Sequence, residues 1–280
     1  AGSGKGARMS DEQIKVDDHA PSDLPAKARE TYGEKLELGP AKILTLGFLA
    51  GIFIGFGSIA FLVVKAVPDA AVPFGVLQFA SGLAFSLGLV LVMVAGAELF
   101  TGNTLMLVRR YSGESALSDI LGAWALAWLG NLAGSIFVVA LFFAAGGHEA
   151  GDGLLAGAAL EVAGDKTAKG AWATFTSGIL ANMLVCLAVW MTFAARSVQG
   201  RILALVPPIA TFVAAGFEHS VANMSLIPAG LAVLWTDPAA TADPSLGIGG
   251  FLLNLLWSTL GNIVGGGLIA LGYWFSYDRD

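Results

Sequence analysis

Cysteine and charge are both scarce in this chain, and each scarcity closes off a class of function. The single cysteine, Cys186, sits inside an apolar run. It excludes an intramolecular disulfide and any cysteine cluster for zinc, and a small buried apolar residue is its plain reading. Charged residues make up 13% of the 280 positions, against about a quarter in an average soluble domain. The net charge is −6 with no basic stripe, so nucleic acid is not an expected partner. No HExxH zinc pair, GxSG-type nucleophile segment or GxGD motif occurs, so neither an enzyme nor a metal or cofactor is expected.

Apolar residues fill the space that charge leaves. They make up 56% of the chain, and the mean hydropathy is +0.74, so the membrane is the default solvent. A helical crossing needs about 20 mostly apolar residues. Six stretches qualify, at 43–65, 74–107, 116–145, 171–195, 202–235 and 246–275. The expected fold is all-α and integral to the membrane, with the transporter domain at 43–276. Residues 1–8, AGSGKGAR, read as a cloning remnant before a start at Met9, and 9–42 as a polar tail. Within that tail, SDLPAKARETYGEKLEL reads as a short amphipathic helix capped by Ser22 or Asp23, with Pro25 early in it. It is expected to be solvated or interfacial.

Basic residues set the orientation. Arg109, Arg110, Arg196, Arg201 and Arg279, with Lys15, Lys27, Arg29, Lys35 and Lys42 in the tail, fall on one side; Lys65, Lys166 and Lys169 fall on the other. The positive-inside rule places both termini in the cytoplasm of an inner-membrane protein.

The second and fifth stretches are too long for one straight crossing at about 1.5 Å per residue. Each carries a polar interruption near its middle. From Ile202 to Trp235 the only titratable side chains are Glu218 and His219. Short matches recur in order: GFLAG (47–51) with GILAN (178–182), AGAE (95–98) with AGFE (215–218), and LGNLAG (129–134) with LGNIVG (260–265). Each half holds three spans, so the second half enters from the opposite side, an inverted repeat with its site at the repeat interface. A broken helix frees backbone groups that protein must satisfy. Glu98 and Glu218 read as braces accepting from those freed N–H groups rather than as proton carriers, with Asn103 and Asn223 as caps. His219 has Leu99 as its counterpart, so bracing does not explain it, and a pore role is the reading.

The segments AGAELFTGNT (95–104), GILANMLVCLAVWM (178–191), GFEHSVANM (216–224) and TLGNIVGGG (259–267) resemble the signatures of the formate/nitrite transporter family across residues 24–276. The resemblance implies an aquaporin-like protomer with its own pore, assembled as a homopentamer, with small monovalent anions as substrates: formate, nitrite, hydrosulfide, or acetate and lactate. It implies a mobile break around Leu99, Phe100 and Thr101, and a central Thr101–His219 pair. It puts one constriction at Phe85 and Phe212 on the outer side and another at Leu89, Leu99, Phe100 and Val185 on the inner side. Pore-lining asparagines map to Asn182 and Asn262, and a vestibule lysine to Lys166. On residues alone, Phe85 and Leu89 share a helix face and would be ordinary packing.

A dry ring opposes a bare anion, which a weak acid avoids by crossing neutral. Lys166 would gather the anion, and falling dielectric would favour protonation from water or from His219. The same fold allows a hydrosulfide or short-chain carboxylate permease. An aquaporin-like neutral-solute channel is the further alternative, although neither break holds an Asn-Pro-Ala triplet.

Overall fold

The computed structural model describes residues 19–68 and 71–279. The segment read as a remnant, 1–8, and Lys15 of the tail lie outside the described residues. Among the described residues five helices are long and apolar enough to cross a membrane: α2 (Pro40–Lys65), α3 (Phe74–Ala95), α6 (Leu117–Ala144), α8 (Ala171–Ala194) and α11 (Ile248–Tyr277). The fifth expected span is instead two shorter apolar helices, α9 (Val198–Ala214) and α10 (Ser220–Thr236).

Two parallel helix pairs, α2 with α6 and α8 with α11, form the walls. Small residues let the backbones meet, as membrane packing requires where hydrophobic association is absent. A Cβ on Gly134 would strike the carbonyl of Phe48, and one on Gly265 the carbonyl of Ile179. Each residue of the first contact lies 131 positions before its counterpart in the second, so one packing solution is used twice. Helix α3 lies against α2 and α9, and α9 lies against α3 and α8.

The first break follows a full-length helix rather than interrupting one. Helix α3 has 22 residues, about 33 Å at 1.5 Å per residue, which is a whole crossing. The chain then reverses at Gly96, whose φ is +83°, and dips back through Leu99 into the short helix α4 (Phe100–Asn103). It leaves again through a 3-10 turn at Thr104–Met106 and α5 (Leu107–Tyr111). The second half repeats this: α9, a reversal at Gly216 with φ +68°, then α10. Positive φ is the reason glycine stands at both turns.

Two segments differ from expectation. The tail forms α1 (Leu24–Leu36) after a 3-10 turn at Pro21–Asp23, and it is docked rather than solvated. Leu24, Ala28 and Tyr32, spaced by four, are buried. Tyr32 donates its hydroxyl to the Gly102 carbonyl at 2.8 Å, so α1 contacts the first break directly. Asp23 stands at the N-cap without a side-chain capping bond. The stretch before Ala171, which holds none of the six expected spans, forms α7 (Leu154–Ala168), which packs on α10 and carries Lys166.

Candidate functional site

The two dipping segments meet at one hydrogen bond. Thr101 Oγ1 lies 2.8 Å from His219 Nε2, and both residues are buried. His219 is the N-cap of α10, and its Nδ1 accepts the backbone N–H of Ala222 at 3.0 Å. An Nδ1 that accepts carries no proton, so the neutral ring bears its proton on Nε2 and donates to Thr101. The Thr101 hydroxyl hydrogen is then free for another acceptor. Leu99, the counterpart of His219, is likewise the N-cap of its helix, but offers no side-chain acceptor.

The segments are held by asparagines in two matching sets. Asn131 Nδ2 donates to the carbonyls of Gly47 (2.8 Å) and Glu98 (2.9 Å), while its Oδ1 accepts from Phe100 N (2.9 Å). Asn262 does the same with Gly178 (2.8 Å), Glu218 (3.0 Å) and Ser220 N (2.9 Å). Asn131 therefore braces the first break, a role assigned from sequence to Glu98. Its place in LGNLAG, opposite Asn262 in LGNIVG, was the available signal. Asn182 Nδ2 reaches Thr101 O (3.3 Å), Thr104 Oγ1 (2.9 Å) and Asn262 O (2.6 Å). Asn182 and Asn262 thus support the centre from behind, outside the lining of the three spaces described below.

The glutamates brace side chains, not backbone. Glu98 accepts from Asn103 Nδ2 at 2.7 Å and pairs with Lys35 at 3.0 Å. Glu218 accepts from Asn223 Nδ2 at 2.7 Å and pairs with Lys169 at 2.7 Å and Lys166 at 3.2 Å. Asn103 and Asn223 are donors to these carboxylates instead of helix caps. Lys35 stands outside the repeat, so sequence offered no counterpart for it.

A cavity opens on each side of the centre. The one away from the termini has a volume of about 510 Å³, and its floor includes Phe85, Phe212 and His219. The Phe85 and Phe212 rings meet edge to face at 5.8 Å, and Phe212 lies 5.6 Å from the imidazole. The cavity on the face bearing the termini has about 650 Å³ and includes Lys27, Lys35, Arg196 and Arg201 against Glu30 and Glu98. A chamber of about 40 Å³, touching Leu99, Val92 and Val189, leads inward from it. Leu89 and Val185 are buried and line none of these spaces. Phe100 turns away to stack edge-on against Trp124 at 6.1 Å, so Leu99 alone of that dipeptide faces the chamber.

The sequence profile of the formate/nitrite transporter family matches residues 23–275. The chain belongs to the formate/nitrite transporter family. It is 35% identical over 271 residues to the formate channel FocA of Escherichia coli (strain K12), covering 93% of this chain and 95% of that protein. It is 36% identical over 234 residues to the nitrite transporter NirC of the same strain, covering 81% of each. A solved structure described as a pentameric formate channel with formate bound superposes with a TM-score of 0.79 at 36% identity, over 85% of this chain and 97% of that one. This member of the family is an integral membrane protein of transport, and its two dipping segments and Thr101–His219 contact stand within the matched region.

Proposed function

We propose that the protein conducts formate and nitrite across the inner membrane as a pH-dependent, passive or proton-coupled channel, one pore per copy in a homopentamer, with both termini in the cytoplasm. The observation that carries this is the Thr101–His219 contact at the floor of one cavity, with buried Leu89, Val185 and Leu99 between it and the other. The formate channel and nitrite transporter named among the relatives support the choice of anion. The concentration of arginine on the terminal face supports the orientation.

An anion leaving a hydrated vestibule for the Phe85–Phe212 ring loses solvation, a cost that apolar walls cannot return. A weak acid lowers that cost by taking a proton as it enters. The cap bond from Ala222 occupies His219 Nδ1, and surrendering the Nε2 proton would leave an imidazolate. Vestibule water is therefore the better proton source in this geometry. His219 acts by polarising Thr101, which offers its hydroxyl hydrogen to the passing oxygen. Lys166 and Lys169 are held by Glu218, so their field on the anion is partly cancelled.

Stopped-flow uptake into liposomes tests the reading. Formate and nitrite should enter, faster at lower pH, and glycerol should not. Equal entry of glycerol, or no entry of either anion, overturns it.

A further inference from the structure

The far-face cavity holds three lysines. Two of them, Lys166 and Lys169, are bound to the Glu218 carboxylate. The third, Lys65, is half-buried as the last residue of α2. Among the described residues no carboxylate lies within 4.0 Å of its Nζ; the ammonium instead donates to Gln78 Oε1 at 2.6 Å and sits 5.8 Å from the Phe61 ring centroid.

Gln78 is not placed at random on its helix. It precedes Phe85 by seven positions, Leu89 by eleven and Val92 by fourteen, a spacing that keeps all four on one helical face. Gln78 therefore stands about 10 Å above Phe85 along the axis, at 1.5 Å per residue. Phe61 and Lys65, four apart, make the matching edge of α2, and all of Lys65, Gln78, Phe61 and Phe85 line the cavity.

We infer that Lys65 and Gln78 form an anion-receiving site at the outer rung of this wall, specific for a small oxyanion with two oxygens. Gln78 accepts from Lys65 through Oε1, which leaves its Nε2 donors and the remaining ammonium hydrogens to serve a ligand. A carboxylate or nitrite can bridge the two groups with one oxygen each, a charge-assisted pair. Asp165, which lines the same cavity, and the Lys166–Glu218–Lys169 cluster face this site from α7 and the second break. Asp165 opposes anion residence, which keeps the site one of passage. A channel needs binding strong enough to admit the ion and weak enough to release it.

The inference rests on the reading of the chain as an anion channel, and the test separates the two. Wild type, Lys65→Met, Gln78→Leu and Gln78→Glu are reconstituted, and initial formate uptake is measured against concentration. Binding of ¹³C-formate to each detergent-solubilised protein is read in parallel from line broadening. Gln78→Leu changes no charge, so a purely diffuse field predicts no effect from it. A bridging site predicts a rise in half-saturating concentration of about threefold to tenfold, the size of one lost hydrogen bond, with the maximal rate kept. Lys65→Met should raise it further. Gln78→Glu, which keeps a partner for Lys65 should the leucine variant fold poorly, should abolish the site-dependent broadening. Uptake and broadening unchanged in Gln78→Leu or in Lys65→Met overturn the site. Absent formate uptake by wild type overturns the channel reading instead, and the broadening comparison still decides the site.

Discussion

At the scale of single residues, the asparagines and the threonine carry the most weight. Asn262 satisfies the Glu218 carbonyl and the Ser220 N–H of the second break and adds a bond to the Gly178 carbonyl inside α8. Asn262→Leu leaves the two groups of the break buried without this partner, each at about 1–3 kcal/mol. The oligomer should melt markedly lower in detergent, and Asn131→Leu should do the same because its bonds match one for one; a melting point within a degree of wild type would contradict this. Thr101→Val is the opposite case. It keeps the shape and removes the hydroxyl that His219 polarises. Assembly should persist while formate uptake falls about tenfold or more, the value of a hydrogen bond to a charged group. His219→Asn should also assemble and conduct more slowly, but with the same shape of pH profile, because the Ala222 cap bond leaves the ring in its Nε2–H form. A profile that loses an inflection near the imidazole range in the variant would show that His219 itself gains and loses a proton. The sequence made Glu98, Glu218 and His219 conspicuous because a charge is rare in an apolar run. It hid Asn131 and Lys35, since a neutral amide in a span and a lysine in a polar tail both look ordinary until their partners are known.

At the scale of elements, the reach of the four unbroken crossings was legible and the docking of the other helices was not. Spans one, three, four and six agree with α2, α6, α8 and α11 to within about three residues, the usual uncertainty of helix ends. Length and the polar interruption at Glu98 marked a break in 74–107, but not that α3 runs its full length before it and the chain then dips, because the reversal depends on Gly96. Helix α1 was legible as a helix, while its burial rests on contacts far away in sequence. Arg29 bridges Glu114 at 2.8 Å and pairs with Asp278, and Arg109 donates to the Arg29 carbonyl at 2.7 Å. These contacts join α1 to the loop after the first break and to the end of α11. Arg29→Ala combined with Tyr32→Phe should release α1 and speed proteolytic cleavage near residues 24–36, with the rest of the protein intact. Burial pushes the Tyr32 phenol well above its ordinary value of 10.0. A raised value means that its contribution to docking is whole below about pH 10 and is lost as pH climbs through the raised value. Cleavage that does not change in the double variant would mean α1 is held by Leu24 and Ala28 alone.

At the scale of the whole molecule, composition pointed to the membrane as solvent, and the odd number of spans per half gave the expectation of an inverted repeat. The structure adds that a single chain supplies everything the proposed pathway needs. Thr101 and His219 come from opposite halves of the same copy, and both cavities are lined by that copy's own residues. In a pentamer of such copies the central axis is then not the route, and each protomer should conduct alone. Co-expression of wild-type chains with Thr101→Val chains tests this without separating the assembly. Native mass spectrometry should first show five copies whatever the mixture. Independent pores predict that uptake declines in direct proportion to the fraction of variant chains, since an intact neighbour neither lends nor loses a donor. A shared axial pore lined by all copies predicts a far steeper fall, because one defective chain would impair every mixed assembly that contains it. A steep curve would remove the single-chain pathway and the role of the Thr101–His219 contact together. A linear curve with only monomers in the mass spectrum would keep the pathway and discard the pentamer.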